Sequence, residues 1–179
     1  MFLSGALQAG CLNPIFFDKV EIDVNHAPVL TGMTPAPTFD RVNAQLGPDC
    51  APLESFRAVR LDDADEDVLT VRWTLLLPRD GTLTGARVNL LEVDLEPLVP
   101  RVEGLEYDFQ PFQLDRAKVL GALGPSELAS QAQREEGQLL ELRISDRGFK
   151  TGTFDAPDGA DVVYMSWAVK VNDAPCGSP

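Results

Sequence analysis

Two stretches of the chain alternate apolar and polar residues at the period of a strand packed on one face. Leu69-Thr-Val-Arg-Trp-Thr-Leu-Leu-Leu77 puts Leu69, Val71, Trp73, Leu75 and Leu77 on one side, and Val163, Met165, Trp167, Val169 and Val171 repeat the arrangement near the end. Both patterns predict core strands with Trp73 and Trp167 buried. Shorter alternation marks further strands at Phe56–Leu61, Val88–Leu95 and Gln138–Ser145. From Asn13 to Thr38 the chain is rich in proline and turn formers, with one alternating piece at Lys19–Val24. It reads as a tether leading into a first strand near Pro28–Met33.

One segment breaks the strand pattern. Pro125-Ser126 followed by Glu127 to Glu136 combines helix formers and an early acid, with Gly137 as a stop, so one helix or two short ones are expected within 117–136. Before it, Glu96–Phe112 holds Pro97, Pro100, Gly104 and Pro111, which points to a long surface excursion rather than a central strand. An internal echo ties the two strong strands together. Asp63 to Asp67 precedes Trp73 and Asp155 to Asp161 precedes Trp167, each tryptophan following the last aspartate at the same interval. Several strands, turn signals between them and two core tryptophans predict a mainly β chain, an immunoglobulin-like β-sandwich with a partly helical insertion. A jelly roll or small barrel carries similar marks. The expected domain is 28–179, with the insertion at about 96–137.

Charge narrows the function. Fifteen basic against twenty-eight acidic residues give a net charge of −13 over 179 residues, a surface that repels phosphate backbones and anionic lipid headgroups. Nucleic acid is therefore not an expected partner. The single histidine, His26, lies in the tether reading and leaves no material for a histidine-rich metal site. Gly-x-Ser-x-Gly, P-loop, GxGxxG and Cys-x-x-Cys motifs are missing. Paired carboxylates are too abundant to mean anything without geometry. No enzyme is expected.

Met1-Phe-Leu-Ser-Gly-Ala-Leu-Gln-Ala-Gly-Cys11 is an uncharged, small and apolar run ending at a cysteine. It resembles the lipobox of bacterial lipoproteins, which implies residues 1–10 as the remainder of a signal peptide, Cys11 as the lipidated residue and 11–27 as the tether. Leu12 stands where an inner-membrane retention signal has aspartate, so the resemblance implies an outer-membrane anchor. With Cys11 assigned to lipid, Cys50 and Cys176 remain, each in a turn-like setting. A bridge between them suits an exported protein, and two thiols in a reducing cytosol are the alternative. No apolar stretch is long enough to span a bilayer as a helix.

At Asp62-Asp-Ala-Asp-Glu-Asp-Val-Leu-Thr-Val-Arg-Trp73 the acidic turn and strand resemble PKD-like, cadherin-like and related bacterial immunoglobulin-like modules, and Asn25-His-Ala-Pro-Val29 resembles their opening. Asp62, Asp63, Asp65 and Asp67 offer hard oxygen ligands for calcium, although the EF-hand pattern lacks its glycine. The alternative is a solvated acidic turn whose carboxylates bond local amides. Tyr107, Phe109 and Phe112 form a candidate partner surface on the excursion, or else pack it onto the sandwich. The expectation is a non-catalytic envelope lipoprotein whose immunoglobulin-like domain binds a protein or glycan. A calcium-stabilised adhesion module and a structural subunit of an envelope complex are the alternatives.

Overall fold

The computed structural model describes residues 25–36, 42–47, 50, 55–58, 60–78, 86–102, 105–133 and 137–176. Cys11, the expected signal-peptide remainder and the expected tether as far as residue 24 lie outside them. Among the described residues nine strands and two helices follow in the order β1 (Val29–Thr31), β2 (Val42–Gln45), β3 (Arg60–Asp62), β4 (Leu69–Leu76), β5 (Arg87–Leu95), β6 (Pro97–Val102), β7 (Leu105–Tyr107), α1 (Arg116–Leu123), α2 (Pro125–Ala132), β8 (Gln138–Ser145) and β9 (Val162–Asn172). The main layer is a five-stranded sheet in the order β2-β9-β8-β4-β5, antiparallel except where β2 runs parallel to β9. Two small ladders, β1-β3 and β6-β7, make the facing layer, with β3 lying against β7. The chain is thus mainly β, a sandwich with a partly helical insertion between β7 and β8.

Alternation drives this arrangement. Leu69, Val71, Trp73 and Leu75 of β4 and Trp167, Val169 and Val171 of β9 point into one core shared with Leu30 and Leu61 of the facing layer. At its centre Trp73 stacks on Phe112 at 4.4 Å between ring centroids and lies 5.7 Å from Trp167, while Phe56 meets Trp167 edge-on at 5.2 Å. Phe56 and Phe112 also exchange backbone hydrogen bonds of 2.7 and 2.8 Å, which hold the excursion against the segment before β3.

Two expectations need correction. The excursion Glu96–Phe112 is not wholly a surface loop, because Pro97 and Pro100 sit in a short antiparallel pair, β6-β7, where the ladder is irregular and tolerates them. Strand β4 is also buried on both faces: its polar positions Thr70, Arg72 and Thr74 are covered as well as its apolar ones. Residues 148–154 cross that second face. The Arg72 guanidinium lies 4.2 Å from the Phe149 ring centroid, and it donates to the Thr153 carbonyl at 2.7 Å and to Glu92 at 2.8 Å. Beside it Glu141 of β8, 1% exposed, accepts from Thr74, Arg87 and the Tyr164 hydroxyl at 3.2, 3.0 and 2.9 Å. One buried carboxylate thereby ties β5, β4, β8 and β9 together, and it gives the buried Thr74 hydroxyl its acceptor.

The helical insertion follows local rules. Asp115 caps α1 by accepting from the Lys118 N–H at 2.8 Å, and Gly124, at φ 78°, turns the chain between the two helices. Val119 and Leu128 anchor them to the core.

Candidate functional site

Three places in the molecule gather polar or exposed apolar chemistry. The first is the end of the sandwich where β4 begins, β8 ends and β9 begins. Here each acidic turn of the sequence echo reaches the opening of the described chain, Asp161 bonding Asn25 and Asp65 bonding His26. The Asn25 amide nitrogen donates to Asp146 and, at 2.9 Å, to Asp161, while the Asp161 N–H donates to the other oxygen of Asp146 at 2.9 Å. Next along the chain, His26 donates its backbone N–H to Asp65 at 2.5 Å and pairs its ring nitrogen Nδ1 with the same carboxylate at 2.9 Å. The opening Asn25-His26 is therefore fastened to the folded domain, and the sequence-based tether boundary at residue 27 falls inside the attached segment.

Electrostatics at this end follow from those contacts. The hydrogen bond to Asp65, and then its charge, raise the His26 pKa above the ordinary histidine value, with Asp63 and Asp161 adding to the effect. Asp65 is lowered in return by the two His26 hydrogen bonds. Burial pushes Asp63 up; the Asp67 N–H it accepts at 2.9 Å works against this, and the carboxylates of Asp67, Asp65 and Asp146 reinforce the rise.

The calcium set expected from sequence does not assemble as a cage. Asp62 pairs with Arg60, Asp63 receives the Asp67 amide and Asp65 holds His26. Among the described residues no group of three or more histidine, cysteine, aspartate or glutamate side chains is placed to hold a metal ion. The acidic turn bonds local and neighbouring backbone instead, the role short acidic side chains take in turns.

The second place is the aromatic trio of the excursion. Tyr107 and Phe112 are 1% and 2% exposed, so they belong to the core and offer nothing to a partner. Tyr107 uses its hydroxyl to bond the Asp67 carbonyl at 2.7 Å, closing the acidic turn from below. Phe109 alone stays half-buried. It stands 6.4 Å from Trp73 and, with Pro111, forms one wall of an apolar cleft of about 170 Å³ whose other wall is β5. Sequence reasoning missed that wall: Leu91 and Val93 of β5, on the core-side face, remain 38% and 41% exposed.

The third place is the outer face of the main sheet. A wide groove of about 550 Å³ is lined by Arg87, Arg143, Asp155 and Tyr164. The Tyr164 ring is half exposed, and the Arg143 guanidinium lies 5.5 Å from its centroid. Tyr164 occupies an outward position of the β9 alternation, a signal the sequence offered and the inward-facing reading passed over.

Cys50 and Cys176 form a disulfide, their Cα atoms 4.9 Å apart. The bridge lies just beyond the parallel β2-β9 pair, where Leu46 donates to the Asn172 carbonyl at 2.6 Å. Gly47 packs so closely on the carboxyl-terminal segment that a Cβ there would stand 1.8 Å from the Ala174 oxygen. No family model matches the chain, and no curated protein and no solved structure matches it.

Proposed function

We propose that the chain is a non-catalytic binding domain of the bacterial cell envelope, carried outside the cytoplasm and anchored in the outer membrane through a lipid on Cys11. The observation that carries the reading is the Cys50–Cys176 bridge, since a structural disulfide between distant parts of a chain persists in oxidising compartments. The lipobox-like run before Cys11 supports it from the sequence side.

The way the polar groups are used supports binding rather than catalysis. At the acidic end the carboxylates of Asp65, Asp146 and Asp161 hold Asn25 and His26 in place, and the one histidine is committed to an ion pair. The groove on the outer sheet face has the chemistry of a recognition surface: an exposed tyrosine ring beside two arginines suits stacking and hydrogen bonding to a glycan or to a polar stretch of another envelope protein.

Intact-mass measurement of the product extracted from membranes tests the anchor. The expected result is a chain beginning at Cys11 that carries acyl groups and lacks two hydrogens for the bridge. An unmodified, reduced chain beginning at Met1 sinks the reading. For the surface, Tyr164→Ala is expected to abolish retention on an envelope glycan or protein ligand while leaving the near-ultraviolet dichroism of the core tryptophans unchanged.

A further inference from the structure

From the β5 edge of the main sheet we infer that the chain forms a two-fold dimer in which β5 pairs antiparallel with β5 of a second copy. Among the described residues β5 has a strand on one side only, that of β4; helix α1 packs against β5 as well, and the edge away from β4 has no ladder partner. Its apolar positions Leu91 and Val93 are 38% and 41% exposed beside a cleft walled by Phe109 and Pro111. A long, partly apolar edge in this condition is a template for another strand.

The register with β4 identifies the occupant. Leu91 and Val93 lie opposite Trp73 and Val71, whereas Val88 lies opposite Leu75 and Asn89 opposite Thr74. Leu90 is the extra residue of a bulge between the two halves. Across that bulge Val88, Leu91, Val93 and Leu95 share the core-side face, and Arg87, Asn89, Glu92 and Asp94 share the outer one. Residues of one face also direct their backbone groups the same way along the edge. Antiparallel self-pairing centred within one half of the strand matches faces over a few residues only, and to run the length of β5 the pairing must step across the bulge. A two-fold axis between Leu90 and Leu91 does so over the longest run. It sets Val88 against Val93 of the second copy, Asn89 against Glu92 and Arg87 against Asp94.

The charges agree with this register. Opposite charges facing across a strand pair are favourable and like charges are not. In a chain of net charge −13, most acidic edges would repel a second copy, yet here the one arginine of β5 meets an aspartate and the asparagine meets a glutamate. The bulge is what makes this possible. In an unbulged strand of the same sequence, Arg87 and Asp94 would lie on opposite faces.

Sedimentation velocity of the full chain across a concentration series is expected to show a rise from one to two times 19.5 kDa. Val93→Lys, which places a charge on the apolar side of the new ladder, is expected to restore the single-chain mass with the near-ultraviolet spectrum unchanged. The register is read by cysteine pairing in a Cys11→Ser background. Chains carrying Asn89→Cys, mixed with chains carrying Glu92→Cys, are expected to give a covalent dimer that neither gives alone. A single-chain mass at every concentration overturns the proposal and leaves the edge to a strand of another protein. Dimers that survive Val93→Lys, or cross-links that form equally without mixing, overturn it as well.

Discussion

The two edges of the main sheet are finished in opposite ways. At one edge β2, only four residues long, runs parallel to β9 and is locked by the Cys50–Cys176 bridge and by the close seat of Gly47 on Ala174. At the other edge β5 is more than twice as long, exposes leucine and valine, and among the described residues has a ladder partner on one side alone. A short parallel strand gains little from its own hydrogen bonds, so its position depends on covalent closure. The longer strand needs no such help, because Arg87 and Glu92 bind it to Glu141 and Arg72 across the outer face. One edge is closed by chemistry and the other is left available for contact.

The comparison breaks most sharply at the bridge. Replacing Cys50 and Cys176 by serine removes the restriction on the loop between them, separated by 126 positions. In the chain-entropy account this costs about 4 to 5 kcal/mol, measured as a fall in the denaturant midpoint. Hydrogen exchange is expected to rise first at β2 while β5 keeps its protection. An equal loss at both edges would show that the two are not independently held.

A smaller effect is expected from the opposite side. Glu141→Ala strips Thr74, Arg87 and Tyr164 of a shared acceptor, and of these the Thr74 hydroxyl is buried. Because Arg87 and Tyr164 can still reach water, the expected loss is about 2 to 3 kcal/mol, below the figure for a fully buried pair. Urea unfolding checks the magnitude. Exchange at β5 should rise while the bridged edge stays protected, the converse of the disulfide variant.

The smallest effect belongs to the acidic end, away from both edges' fastenings. His26 is the only histidine, so its ring protons report its titration unambiguously in NMR. Its folded pKa is raised by Asp65, so the stability it contributes is full below the ordinary histidine value and disappears as pH rises through the raised folded value. Asp65 is lowered, so its contribution is present above the ordinary aspartate value and is lost as pH falls through its lowered folded value. Both are in force only between those limits. Asp65→Asn is expected to bring the His26 titration back toward the ordinary histidine range. A midpoint that does not move would mean that Asn25-His26 is fastened by other contacts.

Local pattern carried much of the fold. The span Gln138–Ser145, the two tryptophan strands and the interrupted helix all came from period and punctuation, which act over a few residues and are written directly in the chain. Strand β2 did not, because Val42-Asn-Ala-Gln45 has little alternation and is a strand only by its pairing with β9. The acidic turns were visible as a repeated spacing. That they meet at Asn25-His26 was not, since Asp161 lies 136 positions from Asn25 and Asp65 lies 39 from His26.

By itself the sequence determined the alternation of β4 and β9, the burial of Trp73 and Trp167, the helical character of the insertion and the net charge, because each depends on residue type and short-range periodicity. Only the tertiary structure decided which carboxylates hold backbone and which face water, that Tyr107 and Phe112 are core while Phe109 stands at a cleft, and which sheet edge stays open. Those outcomes depend on what packs against each side chain from remote parts of the chain. An aspartate or a phenylalanine is the same residue in either setting, and only its neighbours in space assign its role.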